Sequence, residues 1–231
     1  MNTIAYDFLS KDPEQNVPAL GALARGATVV HCSPGGVILR ESGNGLYYAS
    51  VTDPDILNSA WFSEGEITVL ALREGSIDPI ADRIGATHIK RCHQVVFLNE
   101  TPAYKPAEGL SIAPLCVEDA DFVCAHYSNV FDRPYIEERL SGGHVCGAFL
   151  AGEPAGFIGR HDDGSIGMLE VLPAFRRHGI GTALAGFIIN RVVNAGDIPY
   201  AHIFVGNAAS LAMTSRLCGA TLAREAVAWI F

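Results

Sequence analysis

Short apolar runs bounded by Gly, Pro, Asn and Asp alternate along this chain with stretches in which apolar residues recur at helical spacing. Over the first hundred residues the pattern predicts a helix at 17–24, strands at 28–31, 36–40 and 46–50, and a short helix at 53–61. A strand at 67–72, a helix at 79–84 and a strand at 94–98 complete this run. The stretch NETPAYKPAEG over 99–109 is polar, Pro-rich and without apolar period, so we place a domain boundary inside it, between 104 and 105. Beyond it come a strand at 110–114 and a helix whose first turn, VEDAD, carries acidic residues where the helix dipole favours them. Asp132-Arg133-Pro134 starts a second helix that Gly142-Gly143 ends. A meander of strands follows at 144–151, 155–161 and 165–172, turned by Gly152-Glu153-Pro154 and by Asp162-Asp163-Gly164.

That meander feeds a strand-to-helix junction, LEVLPAFRRHGIGTALAGFIINRVV. Pro173 stops the strand, glycines cluster at 179 and 181, and Ile180, Leu184, Phe187, Ile188 and Val192 then share one helical face, with Gly196 in the place of a C-terminal cap. Free backbone N–H groups and the dipole make the start of such a helix an anion site, and glycines let a phosphate come close to the chain. Arg176, Arg177 and His178 add positive charge. The junction reads as a phosphate cradle.

Composition narrows the field. A chain of 231 residues with 49% hydrophobic content fills one large core or two small ones, and 16 basic against 25 acidic residues give a net charge of −9, which argues against a general nucleic-acid binder. The amino terminus shows no basic leader followed by an apolar run, and no stretch reaches a membrane span, so we expect a cytoplasmic protein without a membrane partner. Six cysteines at 32, 92, 116, 124, 146 and 218 form no C-x-x-C pair and no disulfide framework; they read as buried thiols. Cys92-His93 and Cys124-x-His126 lack further ligands at useful spacing, and no metal is expected.

Arg176-Arg177-His178-Gly179-Ile180-Gly181, after a strand and opening a helix, resembles the R/Q-x-x-G-x-G/A signature with which GNAT-superfamily enzymes grip the pyrophosphate of acetyl-CoA. The segment from Ile198 through Asn207, with Ser210, Met213, Arg216 and Leu217, is similar to the family's next strand and helix, most of all in the glycine N-acyltransferase-like branch. The resemblance implies an α/β GNAT fold, a mixed central sheet flanked by helices, with strands splayed at the cofactor slot. It covers residues 165–229; residues 1–104 alternate strand and helix in the same way without the cradle, as a degenerate GNAT-like or substrate-shaping half would, in tandem with an acyl-CoA-binding domain at 105–231.

By the same resemblance, acetyl-CoA is the cosubstrate, held by Arg176 through Thr182, by the backbone of Leu169 and Val171, and by Asn207 and Ser210. Locally, Asn207 and Ser210 also read as N-cap and N3 of a helix. The implied activity is transfer of an acetyl group to a small amine by direct attack on the thioester. Family members carry a glutamate near the start of the motif strand, where this chain has Ser165, and many carry a tyrosine where it has Thr214. His202 is the preferred replacement base, Glu170 the second; a core histidine and a buried ion pair are the respective alternatives. Tyr127, Phe131 and Tyr135 are assigned to an acceptor pocket or to the core. A homodimer is compatible with this reading, and a CoA-binding sensor without turnover is the alternative to an enzyme.

Overall fold

The computed structural model describes residues 2–58, 61–62, 67–99, 101–102, 108–127 and 132–231. Two helices, α1 (Thr3–Leu9) and α2 (Pro13–Ala24), precede three strands, β1 (Thr28–Ser33), β2 (Gly36–Arg40) and β3 (Tyr47–Val51). A 3-10 turn at Pro54–Asn58, β4 (Val69–Ala71), α3 (Glu74–Ile84) and β5 (Ile89–Val96) follow. After β6 (Leu110–Pro114) the order recurs: helices α4 (Ala120–His126) and α5 (Arg133–Ser141), then strands β7 (Val145–Leu150), β8 (Glu153–Arg160) and β9 (Ile166–Val171). The long helix α6 (Ile180–Asn194), β10 (Tyr200–Phe204), α7 (Ala208–Thr214), β11 (Thr221–Leu222) and β12 (Val227–Ile230) close the chain.

By compactness there are two units. The first comprises Met1–Val96, His202–Leu211 and Thr221–Phe231; the second comprises Phe97–Ala201 and Ala212–Ala220. Residues 104 and 105, where the sequence suggests a boundary, lie outside the described residues.

In the first unit the strand order is β1-β2-β3-β4-β12-β5, with β11 on β5; β3 and β4 are parallel and the other pairs antiparallel. GVILR and YYASV are apolar at consecutive positions because both faces of this sheet are covered. Leu39, Tyr48 and Leu70 pack toward α1 and α2, while their neighbours Ile38, Tyr47 and Val69 pack with Ile77 and Ile80 of α3. Helix α1 is absent from the sequence-based expectation; its seven residues are too few to show a period, and it is set by Asn2, whose side chain accepts from Ala5 N–H at 3.1 Å. Helix α3 starts five residues before Pro79, the expected start, because Glu225 from the tail caps it, its carboxylate accepting from Glu74 N–H at 3.0 Å.

The second unit carries the strands β9-β8-β7-β6 in antiparallel pairs, with Tyr200 and Ala201, the start of β10, beside β9 in parallel register. Val145, Phe157 and Met168 face α4 and α5 with Val123, Ile136 and Leu140. Cys146, one residue on from Val145, meets Arg191 of α6, so α6 lies on the other face. The hairpin between β7 and β8 turns on Ala151 and Gly152, both left-handed at φ 51° and 86°, as a two-residue loop requires. Pro154, expected in that turn, instead pairs with Phe149 beside a register irregularity, where its missing N–H costs no ladder bond. Each unit is therefore a mixed sheet flanked by helices. No helix among the described residues is long and apolar enough to cross a membrane.

Candidate functional site

Strand β9 departs from plain strand geometry just before the cradle. Its pairing with β8 slips between Phe157 and Gly159, and Met168 takes a left-handed φ of 51°. Such a residue costs about 1–2 kcal/mol and persists here because its side chain is 2% exposed among Phe157 and the α4–α5 residues. Leu172 N–H donates to Ala155 O at 2.9 Å, so antiparallel alternation points Glu170 N–H toward β8 and the N–H groups of Leu169 and Val171 away from it. The register between β9 and β10 is the pair Ala201↔Ile166, at the start of β9. Glu170 is half-buried and paired with Phe157.

The chain leaves β9 through a 3-10 turn at Pro173–Phe175, and Arg176 folds back so that its Nε donates to Val171 O at 3.0 Å. His178 Nδ1 lies 2.9 Å from Arg176 O. Arg177 and Gly179 are left-handed, at φ 70° and 75°, on either side of His178; alternation of this kind curls successive N–H groups onto one concave side. No side chain caps α6, and its first backbone bond runs from Ala183 N–H to Gly179 O at 3.0 Å. Among the described residues nothing accepts from the N–H groups of Arg177 through Thr182. Gly179 is required by its φ, and a Cβ there meets nothing within 4 Å. Gly181 is required by neither φ nor packing, since a Cβ there makes an ordinary 3.6 Å contact with Val171. Its missing side chain matters to whatever approaches from outside. Arg176 through Gly179 are exposed, Ile180 is buried beneath the mouth, and Thr182 is exposed beside it.

In the first unit, His202 is half-buried, its ring 5.7 Å from Trp229 in an edge contact and its Nε2 2.9 Å from Gln94 Oε1. Gln94 is fully buried, and its amide nitrogen spends both hydrogens on Glu14 O, at 2.6 Å, and Gln15 O, at 3.1 Å. Its oxygen can only accept, so Nε2 of His202 carries the proton, and Nδ1 is buried. Gln94 escaped the sequence reading; the one hint was an amide opening the apolar run QVVFL. Asn207 caps α7, its side chain accepting from Ser210 N–H at 3.1 Å, which is the local reading of both residues.

Ser165, in the place of the family's glutamate, is 3% exposed and donates its hydroxyl to Asp163 at 2.7 Å. Thr214, in the place of the tyrosine, is 7% exposed. Tyr127 packs edge-on to Phe157 within the second unit's core, at 6.3 Å. Tyr135 directs its hydroxyl to His161 Nδ1 at 2.8 Å. Phe131 lies outside the described residues. Burial lowers the basicity of His161 and raises the Tyr135 phenol, so both stay neutral near pH 7. Of the thiols expected to be buried, Cys92 and Cys146 are, and burial pushes Cys92 up to about 12; Cys116, Cys124 and Cys218 are exposed, a correction to the uniform reading. Among the described residues no three His, Cys, Asp or Glu side chains are grouped to hold a metal ion.

Residues 145–230 match the family model described as FR47-like protein. A solved structure of a Drosophila protein is similar at a TM-score of 0.65 and 18% identity, over 98% of this chain and 89% of that one. A GCN5-related N-acetyltransferase from Kribbella flavida is similar at 0.62 and 12% identity, over 95% of both chains. An acetyltransferase from the GNAT family of Colwellia psychrerythraea is similar at 0.54 and 11%, over 97% of this chain and 93% of that one. No curated protein sequence gives a significant match. The fold is that of GCN5-related N-acetyltransferase structures, and the likeness extends beyond the matched 86-residue region to nearly the whole chain.

Proposed function

We propose that this chain is an acyl-CoA-dependent N-acyltransferase of the glycine N-acyltransferase-like kind, moving an acetyl group to a small primary amine such as a free amino acid. The observation that carries the reading is the run of backbone donors from Arg177 to Thr182, curled by two left-handed residues in front of an uncapped helix. A pyrophosphate fits that donor set: the ligand has many acceptors and no donors, and the set has donors only. Arg177, His178 and the α6 N-terminus would hold it, and the N–H groups of Leu169 and Val171 would serve the amide-rich arm and the thioester oxygen.

An acyl-CoA supplies the activated acyl group. What remains for the chain is positioning, and removal of one proton from the acceptor's ammonium group. A peptide α-amine of pKa near 8 costs only ~1 kcal/mol to deprotonate at pH 7 against ~4.6 kcal/mol for a lysine, and a free amino acid, whose α-ammonium sits beside its own carboxylate, lies between the two. An imidazole is suited to proton transfer near neutrality, directly or through a water, so His202 is assigned as the base in preference to Glu170. The commitment of Ser165 to Asp163 supports a base elsewhere than at the family's usual position. It equally supports the second reading, a CoA-binding sensor.

Calorimetry with acetyl-CoA tests the cradle. Thr182→Asp puts a negative charge into the first turn of α6, which favours the helix by about 0.3–1 kcal/mol yet repels phosphate. Affinity falls at least tenfold (~1.4 kcal/mol) while the melting temperature holds or rises. Unchanged affinity would remove the cradle from the reading. Thiol release over a panel of amino acids, polyamines and peptide amino termini then separates enzyme from sensor, and turnover on peptides alone would rule out the small acceptor.

A further inference from the structure

The first unit has a cavity of about 330 Å³ remote in sequence from every residue assigned above. Its floor is a row across three strands: Thr28 of β1 is in register with Arg40 of β2, and Arg40 with Tyr47 of β3, so the three side chains rise from one sheet face. Strand β1 is an edge strand, and its register slips between Val29 and His31, a bulge that turns Val30 into the cavity wall. Trp61 and Phe62 form the facing wall. Trp61 is held by its indole N–H on Ile56 O and by the His31 ring at 4.4 Å, and Phe62 stands edge-on to Tyr47 at 5.2 Å.

Among the described residues the charge lining this cavity is one-sided. The Arg40 guanidinium lies 5.6 Å over the Tyr47 ring and makes no ion pair among the described residues, although the chain carries 25 carboxylates against 16 cations. The hydroxyls of Thr28 and Ser42 also line the space. A planar fork of donors seated on the Tyr47 ring, with Trp61 and Phe62 along the wall, is suited to a ligand whose carboxylate takes the guanidinium and whose flat apolar body lies against that wall. At the low end of the range for ligand pockets, the volume suits about one ring and a short arm.

We propose that the first unit carries a second small-molecule site, independent of the acyl-CoA reading, that takes a small aryl carboxylate anion on Arg40 against the wall of Trp61 and Phe62. The chain has 2 tryptophans, so in a Trp229→Phe background the emission reports Trp61 alone. Titration of the 231-residue chain with phenylacetate gives a saturable change with half-saturation at ~1 mM, the range expected for so small a ligand. Phenylacetamide, which keeps the ring and loses the charge, binds at least tenfold more weakly, and so does phenylacetate to Arg40→Leu. Thr28→Val gives a smaller loss. Absence of saturation by about 20 mM overturns the site. Equal response to the amide removes Arg40 from it, and displacement of phenylacetate by inorganic phosphate at the same concentration removes the aromatic walls; either result overturns the ligand class. The amide comparison uses unaltered Arg40, so the outcome does not depend on the folding of Arg40→Leu.

Discussion

A buried glutamine fixes which nitrogen of His202 carries the proton, because Gln94, its amide nitrogen committed to Glu14 O and Gln15 O, offers Nε2 only an acceptor. With His202 as the proposed base, His202→Ala is expected to lower kcat about a hundredfold or more without changing acetyl-CoA affinity. Gln94→Leu takes the donor from Glu14 O, which faces Pro18 within α2, and the acceptor from His202 Nε2, and is expected to cost about 1–3 kcal/mol by denaturant melting. His161 makes a different prediction. Burial holds its folded pKa below the unfolded value, so above that value the fold carries no penalty. As pH falls below about 6.5 the unfolded chain takes up the proton first, and stability drops by at most ~1.4 kcal/mol per pH unit until the folded pKa is passed. His144 shifts in the same direction by burial, so His161→Gln should flatten the acid limb of a melting-temperature profile without abolishing it. An unaltered limb would mean that His161 is not the group responsible. His202 was legible from the sequence by its place in a strand; Gln94 and the His161–Tyr135 pair were not, because each depends on partners dozens of residues away.

At the scale of elements, α6 was read almost to its ends, since its apolar face and flanking glycines coincide with Ile180–Asn194 and Gly196 at φ 83°. The strand pairs were legible where alternation or turn residues marked them, as at Gly36–Arg40 and Leu110–Pro114. Two misplacements have one cause. Pro79 and Pro154 look like boundaries locally, but a cap from Glu225 and a register slip at Phe149 let helix and strand run through them. The β9 bulge escaped for the same reason, being fixed by the packing of Met168 on other elements. Close approach also sets tolerances. A Cβ on Gly156 would lie 2.4 Å from Glu170 O, backbone that cannot rotate away, so Gly156→Ala should destabilise by about 1–3 kcal/mol. Gly181→Ala should do the opposite, adding up to about 1 kcal/mol of helix stability while weakening acetyl-CoA binding. Stability gained with affinity unchanged would show that Gly181 serves no ligand.

For the whole molecule, the repeated element order was visible in the sequence, whereas the return of the tail to the first unit was not, because four apolar residues near an end carry no record of their neighbours. In that unit β12 stands between β4 and β5, pairing Ala228 with both Ala71 and Arg91. Arg73 reinforces the return, reaching Asp12 at 2.9 Å and Glu225 at 3.1 Å, and Gln15 accepts from Glu225 N–H at 3.0 Å. A fragment ending at residue 104 leaves β4 and β5 without the strand that joins them, and it is expected to show no cooperative thermal transition by circular dichroism. A sharp transition would mean that β12 is dispensable. During synthesis the same feature has a temporal cost. Residues up to Val96 emerge on the order of ten seconds before β12 exists, with two strand edges waiting open and able to pair with other nascent chains. Yield from a crowded polysome should therefore depend on how fast the ribosome covers the second half of the message.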